Sequence, residues 1–209
     1  MSLARERIVV ITPAAGLSTR FPGDKMLYVV GGKPLISWTV EKLLRAGVDK
    51  LVVVLGYRAE DVLKAILSNV SDTTRLYFAY NSEYSIGGMS SSIKRGLGLV
   101  CEGEHIMVHP GDVPCVKIES IRKVMEEALK SKESITVAAY NGRKSHPIVF
   151  KPYLLKELLE IGEETRGLKG VISRHYDEIR IVETGDPGTL RDIDRIEDLK
   201  ECSPDSFSF

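Results

Sequence analysis

Two unbroken apolar runs, Ile8–Ile11 (IVVI) and Leu51–Leu55 (LVVVL), constrain this chain more than any other feature. A strand that is apolar at every position has no face for water, so it belongs inside a sheet covered on both sides. Each run is followed by a segment of helical period. Leu35–Ala46 places Leu35, Trp38, Val40, Leu43 and Leu44 near helical spacing and stops at Gly47, and Glu60–Leu67 reads as the next helix. The alternation continues with a strand at Leu76–Tyr80, a helix at Ser90–Leu99 weakened by Gly96 and Gly98, and a strand at His105–His109. A strongly periodic helix follows at Ile118–Lys130, with Ile121, Val124, Met125 and Leu129 on one side. Repeated β–α units of this kind predict an α/β domain with a largely parallel sheet and helices on both faces.

The last third reads differently. Ile135–Tyr140 and Pro147–Phe150 are strand-like runs around a polar turn, Asn141 to His146, which predicts a hairpin or a mixed sheet edge. Pro152–Ile161 and Leu168–Tyr176 are expected as helices, Glu178–Glu183 as a strand and Gly185–Gly188 as a loop. Asp192-Ile193-Asp194 is expected as a short strand end feeding a capped helix at Ile196–Lys200. With 209 residues and 43% hydrophobic content, residues 1–202 suffice for one large domain, and 203–209 are expected as a mobile tail.

Lys plus Arg equals Asp plus Glu at 29 each, so there is no general field for nucleic acid and any cationic site must be local. The three cysteines, Cys101, Cys115 and Cys202, are odd in number and lack a CxxC pair, and they read as reduced thiols of a cytoplasmic protein. Arg5, Glu6 and Arg7 precede an apolar run too short for a signal peptide. No stretch approaches the roughly 18 apolar residues that would suggest a membrane span.

The chemistry gathers in loops that follow strands, where an open α/β sheet places its ligands. Thr12 to Lys25, TPAAGLSTRFPGDK, joins small residues, Ala14, Ala15 and Gly16, to Arg20 and Lys25. Backbone N–H groups, a planar guanidinium and a mobile ammonium suit a triphosphate. The stretch has neither the GxxxxGK[ST] nor the GxGxxG pattern, and an ordinary basic βα loop is the plainer reading. Asp112, in Gly111-Asp112-Val113-Pro114, is a carboxylate suited to Mg²⁺ or the member of a simple Gly-Asp turn. Gly87, Gly88 and Ser90–Ser92 form a ligand loop or a helix cap. Asp192 and Asp194 share one side of an extended segment, or Asp194 caps the last helix.

Together the stretches AAGLSTR…K (Ala14 to Lys25), GGKPLI (Gly31 to Ile36), GMSSSI (Gly88 to Ile93), GDVP (Gly111 to Pro114), HPIVF (His146 to Phe150), GLKGVI (Gly167 to Ile172) and DIDRIEDL (Asp192 to Leu199) resemble the molybdenum-cofactor (molybdopterin) cytidylyltransferases and their nucleotidyltransferase relatives. The resemblance covers nearly the whole chain. It implies a Rossmann-like, GT-A-like nucleotidyltransferase fold of three layers with a mostly parallel mixed sheet. It also implies an enzyme that moves CMP from CTP to a phosphorylated acceptor, molybdopterin or the molybdenum cofactor, with Mg²⁺ and release of pyrophosphate. Ala15-Gly16, where the guanylyltransferases usually show Gly-Gly, places CTP before GTP. By the same resemblance Ala15, Gly16, Ser18 and Arg20 wrap the β- and γ-phosphates, Lys25 faces the α-phosphate, and Gly88 with Ser90 borders the base. Asp112 and Asp194 carry the metal, and His146 faces the acceptor. A contact with a molybdoenzyme or its chaperone is implied, and nucleic acid and membrane are not. Phe21-Pro22 departs from the family's usual Met-Gly, and Lys169-Gly170 lies where an acidic, glycine-rich pattern is usual. The alternatives are a nucleotidyltransferase for a sugar or polyol phosphate, the GTP-using branch, a regulatory module without catalysis, and a Rossmann dinucleotide binder.

Overall fold

A computed structural model describes residues 6–208; Arg5 and Phe209 lie outside the described residues. In chain order the strands are β1 (Ile8–Ala14), β2 (Val29–Val30), β3 (Lys33–Pro34), β4 (Lys50–Leu55), β5 (Leu76–Tyr80), β6 (His105–Val108), β7 (Ile135–Tyr140), β8 (Arg143–Phe150) and β9 (Ile179–Glu183). The helices are α1 (Leu35–Ala46), α2 (Ala59–Asn69), α3 (Gly88–Leu97), α4 (Ile118–Lys130), α5 (Leu155–Leu159) and α6 (Gly167–Arg174). Seven strands form one sheet in the order β5-β4-β1-β6-β8-β7-β9, and β2 and β3 make a separate small hairpin. β1 pairs in parallel with β4 and β6, whereas β8 runs antiparallel to β6 and β7. The fold is the mostly parallel mixed sheet that the sequence predicts.

The unbroken apolar runs are explained by the two cores. Along β1 and β4, Ile8, Val10, Leu51 and Val53 face one core with residues of α1, α2 and α4. Val9, Ile11, Val52 and Val54 face the other, with Ile93, Leu97, Leu158 and Val171 of α3, α5 and α6. Successive strand side chains point to opposite faces, so a strand buried between two helix layers must be apolar throughout. Gly96 has its reason in this packing. A Cβ there would lie 2.6 Å from Ile11 Cγ2 and 3.1 Å from Val54 Cγ2, so the glycine lets α3 lie close on β1 and β4.

Several elements differ from expectation. β1 runs on to Ala14, because Thr12, Pro13 and Ala14 remain in register with Val53, Val54 and Leu55. The polar stretch before Pro147 is mostly strand. The turn is only Asn141-Gly142, with φ of 49° and 75°, the left-handed pair a two-residue hairpin requires. Residues 192–194 are not a strand, and the final helix is a 3-10 turn, Ile196–Glu201. The segment expected as a mobile tail carries, over its described part, a further 3-10 turn, Pro204–Phe207, with Phe207 edge-on to Trp38 at 5.9 Å. The reading of all cysteines as reduced thiols is corrected: Cys115 and Cys202 form a disulfide with Cα atoms 5.5 Å apart, and Cys101 alone is free. Their separation of 87 residues hides a contact that only the return of the C-terminal segment creates. Among the described residues no helix is long and apolar enough to cross a membrane.

Candidate active site

Beyond the carboxyl ends of β1 and β6 the chain opens into a cleft of about 290 Å³. Ala15, Gly16, Ser18, Arg20, Lys25, Gly88, Asp112 and Asp194, all expected at the site, line it. Ala14 is 2% exposed and belongs to the core at the end of β1. Ala15 is equally buried and its carbonyl accepts from the Tyr57 N–H at 3.1 Å, which fixes the start of the loop. At Gly16 an added Cβ would meet nothing within 4 Å, so its backbone borders open space. Phe21 anchors the loop from below: it is buried with Leu35, Cys115 and Ile193 and packs edge-on to Tyr28 at 5.2 Å. The departure at Phe21-Pro22 therefore supplies an apolar anchor at this end of the loop.

The charged centre is compact. Lys25 Nζ donates to Asp112 Oδ2 at 2.6 Å and to Asp194 Oδ1 at 3.3 Å, and Arg20 Nη1 pairs with Asp194 Oδ2 at 2.8 Å. Asp194 does not cap the last helical turn. Asp198 does, accepting the Asp194 and Arg195 N–H groups at 2.8 and 2.7 Å, which leaves the Asp194 carboxylate facing the cleft.

Residues that the sequence did not single out fix the loop bearing Asp112. Each carbonyl from Gly111 to Pro114 has a partner. Thr39 Oγ1 donates to Gly111 O at 2.8 Å, Ile193 N–H to Asp112 O at 2.8 Å, and Lys42 Nζ to Pro114 O at 2.6 Å. His109 Nε2 lies 3.1 Å from Val113 O and, as the partner of a carbonyl, is the donor. Burial pushes Lys42 down to about 8 against the raising effect of Asp186 and Glu119, and pushes His109 down to about 3 with help from His146 and Lys42. Thr39 and Lys42 are buried polar residues of α1, as are Ser37 and Glu41, so polarity within the helix did not single them out in the sequence.

A second, larger cavity of about 840 Å³ adjoins the cleft, and Met89 lines both. His146 and Ser90 lie there, and Ser90 Oγ donates to Glu163 Oε1 at 3.0 Å. Ser90 thus faces the second cavity, while Ser92 lines the cleft. Burial lowers the His146 pKa against the nearby Asp112 charge. The wall of this cavity is basic, with Arg143, Lys144, Arg166 and Lys169 set against Glu163 and Asp192. Asp192, although exposed as a whole residue, has its carboxyl pushed up to about 6 by desolvation and by Asp112 and Asp194, with Lys25 opposing. Among the described residues no group of three or more His, Cys, Asp or Glu forms a metal cluster, so Asp112 and Asp194 stand as a pair.

A strand-end cleft with these cations and carboxylates suits a nucleotidyltransferase domain, and comparison with known proteins gives that class. The model of the MobA-like NTP transferase domain matches residues 10–179, and the chain belongs to that family. It is 31% identical over 122 residues to the bifunctional protein GlmU of Symbiobacterium thermophilum, a match covering 56% of this chain and 24% of that protein. The chain thus spans about a quarter of the length of the curated relatives it matches. Rv0371c from Mycobacterium tuberculosis H37Rv superposes with a TM-score of 0.78 at 22% identity, covering 94% of this chain and 97% of that one. A structure of the same mycobacterial protein in complex with manganese gives 0.72, at the same identity and coverage. The 4-diphosphocytidyl-2C-methyl-D-erythritol synthase of Anaerococcus prevotii gives 0.73 at 19% identity, covering 94% of each chain. At these identities the solved structures show the shared fold.

Proposed function

We propose that the protein transfers CMP from CTP to a phosphorylated acceptor, molybdopterin or the molybdenum cofactor, and releases pyrophosphate. The observation that carries this reading is the convergence of Arg20, Lys25, Asp112 and Asp194 beside the Ala15-Gly16 backbone. The carboxylates fit a hard divalent ion such as Mg²⁺, because oxygens from two separate loops already converge on one cation, the Lys25 ammonium. Asp112 and Asp194 would hold that ion, which when bound neutralises phosphate charge.

The chain's own residues supply positioning and charge. A triphosphate entering the cleft competes with the carboxylates for Arg20 and Lys25. Their transfer to phosphate oxygens leaves both acids free. The Arg20 side chain is 68% exposed and can swing, whereas Lys25 at 10% is held in place. The acceptor phosphate attacks the α-phosphorus in line and the bond to pyrophosphate breaks. An ionised phosphate is already a nucleophile, so no general base is needed. Arg143, Lys144, Arg166 and Lys169 suit an anionic acceptor in the adjoining cavity, with His146 at its inner wall.

Selectivity for cytosine would come from main-chain groups of Ala15-Gly16 and Gly88, which lose partners when the wrong base enters. Titration calorimetry of CTP, UTP, GTP and ATP with Mg²⁺ tests this, with CTP expected tightest and UTP next because the ring size is kept. A clear preference for GTP would move the protein to the guanylyltransferase branch. A second reading, a sugar or polyol phosphate as acceptor, is favoured by Lys169, which lines the acceptor cavity where the resembled family is usually acidic. Pyrophosphate release with each class of acceptor separates the two.

A further inference from the structure

The two carboxylates of the cleft come from parts of the chain with unequal support. Asp112 sits in a loop whose carbonyls are all bonded, directly beyond β6. Asp194 sits in residues 184–208, where 3-10 turns are the only regular structure. That segment is tied to the domain at separate points along its length: Thr184 N–H donates to Ala139 O at 2.9 Å, Thr189 is buried, and Ser206 Oγ donates to Cys115 O at 3.5 Å. Ile193 N–H donates to Asp112 O at 2.8 Å, and Asp186 Oδ2 accepts from Lys117 N–H and Ser120 Oγ, both at 2.8 Å. Ile193 is buried with Phe21, Leu35 and Cys115, and Phe207 rests on Trp38. In the middle of these contacts is the one covalent tie. Cys115 follows Asp112 in the same loop, and Cys202 closes the turn Ile196–Glu201 that follows Asp194.

We propose that Cys115 and Cys202 are positioning residues whose disulfide holds Asp194 opposite Asp112, so that its reduction loosens the carboxylate pair. This rests on the reading of Asp112 and Asp194 as metal-binding. Cys115 is 2% exposed and Cys202 is partly exposed, so an external dithiol must attack Cys202 Sγ. Cys115 leaves as a thiolate and takes a proton. The reagent's second thiol then displaces Cys202, giving two protein thiols and one reagent disulfide. The Asp194 side loses most support, because Thr39, Lys42 and His109 hold the Asp112 loop independently of the disulfide.

The test is Mn²⁺ binding followed by electron paramagnetic resonance, alone and with CTP, on oxidised, dithiothreitol-reduced and Cys202→Ser protein. Asp112→Asn serves as the control, and circular dichroism verifies folding. Outer supports of metal ligands typically contribute roughly tenfold to a hundredfold in affinity, and a loss of that size is expected on reduction and in Cys202→Ser. Reoxidation should restore the reduced wild type, and limited proteolysis should show new cleavage confined to residues 184–208. Equal Mn²⁺ affinity in oxidised and reduced protein, with Asp112→Asn still defective, overturns the positioning role and leaves the metal reading standing. Undiminished Mn²⁺ binding by Asp112→Asn removes the metal reading itself, and the positioning role with it. Because the reduced wild type carries no substitution, a misfolded variant does not shield the proposal.

Discussion

Between two carboxylates stands a single ammonium, Lys25 Nζ, on a side chain only 10% exposed. An ion entering there must displace it, and Lys25→Met is expected to strengthen Mn²⁺ binding in the absence of nucleotide while reducing kcat about a hundredfold at saturating CTP. Arg20→Ala is expected to lose kcat on a similar scale with an unchanged melting temperature, since its side chain is 68% exposed. A rise in KM alone, in either variant, would confine these cations to binding. Asp192 carries a pH signature. Its carboxyl, pushed up to about 6 from an ordinary value near 4, favours the protonated form in the fold. Stability is therefore lost as pH rises from about 4 to about 6. Asp192→Asn should stabilise the protein above pH 6, by less than about 1 kcal/mol because the residue is exposed, and do nothing near pH 4. Denaturant titrations at the two pH values measure it. Arg20, Lys25, Asp112 and Asp194, all singled out in the sequence, line one cleft: the first three lie in loops that follow β1 and β6, whereas Asp194 follows no strand and was implied by the family resemblance. It could not tell which cavity Ser90 faces, since Ser90, Ser91 and Ser92 differ only by rotation about a helix axis.

The elements themselves were legible wherever periodicity was long. α1 and α4 have the residues expected of them, Leu35–Ala46 and Ile118–Lys130, because an amphipathic repeat of three turns has only one way to bury its apolar face. β8 was half missed: its first residues, Arg143 and Lys144, are polar because they line a cavity, so no apolar alternation marked them. The 3-10 turns after β9 carry too few residues for any period. β6 and the loop beyond it also set the acid stability. His109, at the end of β6, is neutral and fully buried, with a pKa of about 3 against about 6.5 unfolded. Its contribution is complete above pH 6.5 and is lost as pH falls toward 3, at up to about 1.4 kcal/mol per pH unit. His109→Gln, which keeps a donor for Val113 O, should flatten the fall in stability between pH 6.5 and 5 by about 1.5 kcal/mol. An unaltered slope in urea unfolding across that range would remove His109 as the cause.

Over the whole molecule, the largest single constraint is the covalent closure between Cys115 and Cys202, whose 87-residue separation corresponds to about 4.5 kcal/mol of lost chain entropy in the unfolded state. For a domain of this size, melting with dithiothreitol should occur roughly 10 °C or more below melting without it. A shift under 2 °C would mean that the remaining contacts of the C-terminal segment, chiefly those of Ile193 and Phe207, already hold it. That closure was out of reach of the sequence, where three scattered cysteines looked alike. The sequence by itself determined the α/β layers and the chemical character of the cleft. Apolar runs such as Ile8–Ile11 and Leu51–Leu55 demand two covering layers, and small residues beside Arg20 and Lys25 suit an anion. Only the tertiary structure decided how Asp194 reaches Asp112, why Thr39 and Lys42 are polar within a buried helix, and which two cysteines meet. These depend on contacts between residues far apart in the chain, set by the return of residues 184–208 to the loop beyond β6, and no local pattern of period 2 or 3.6 records them.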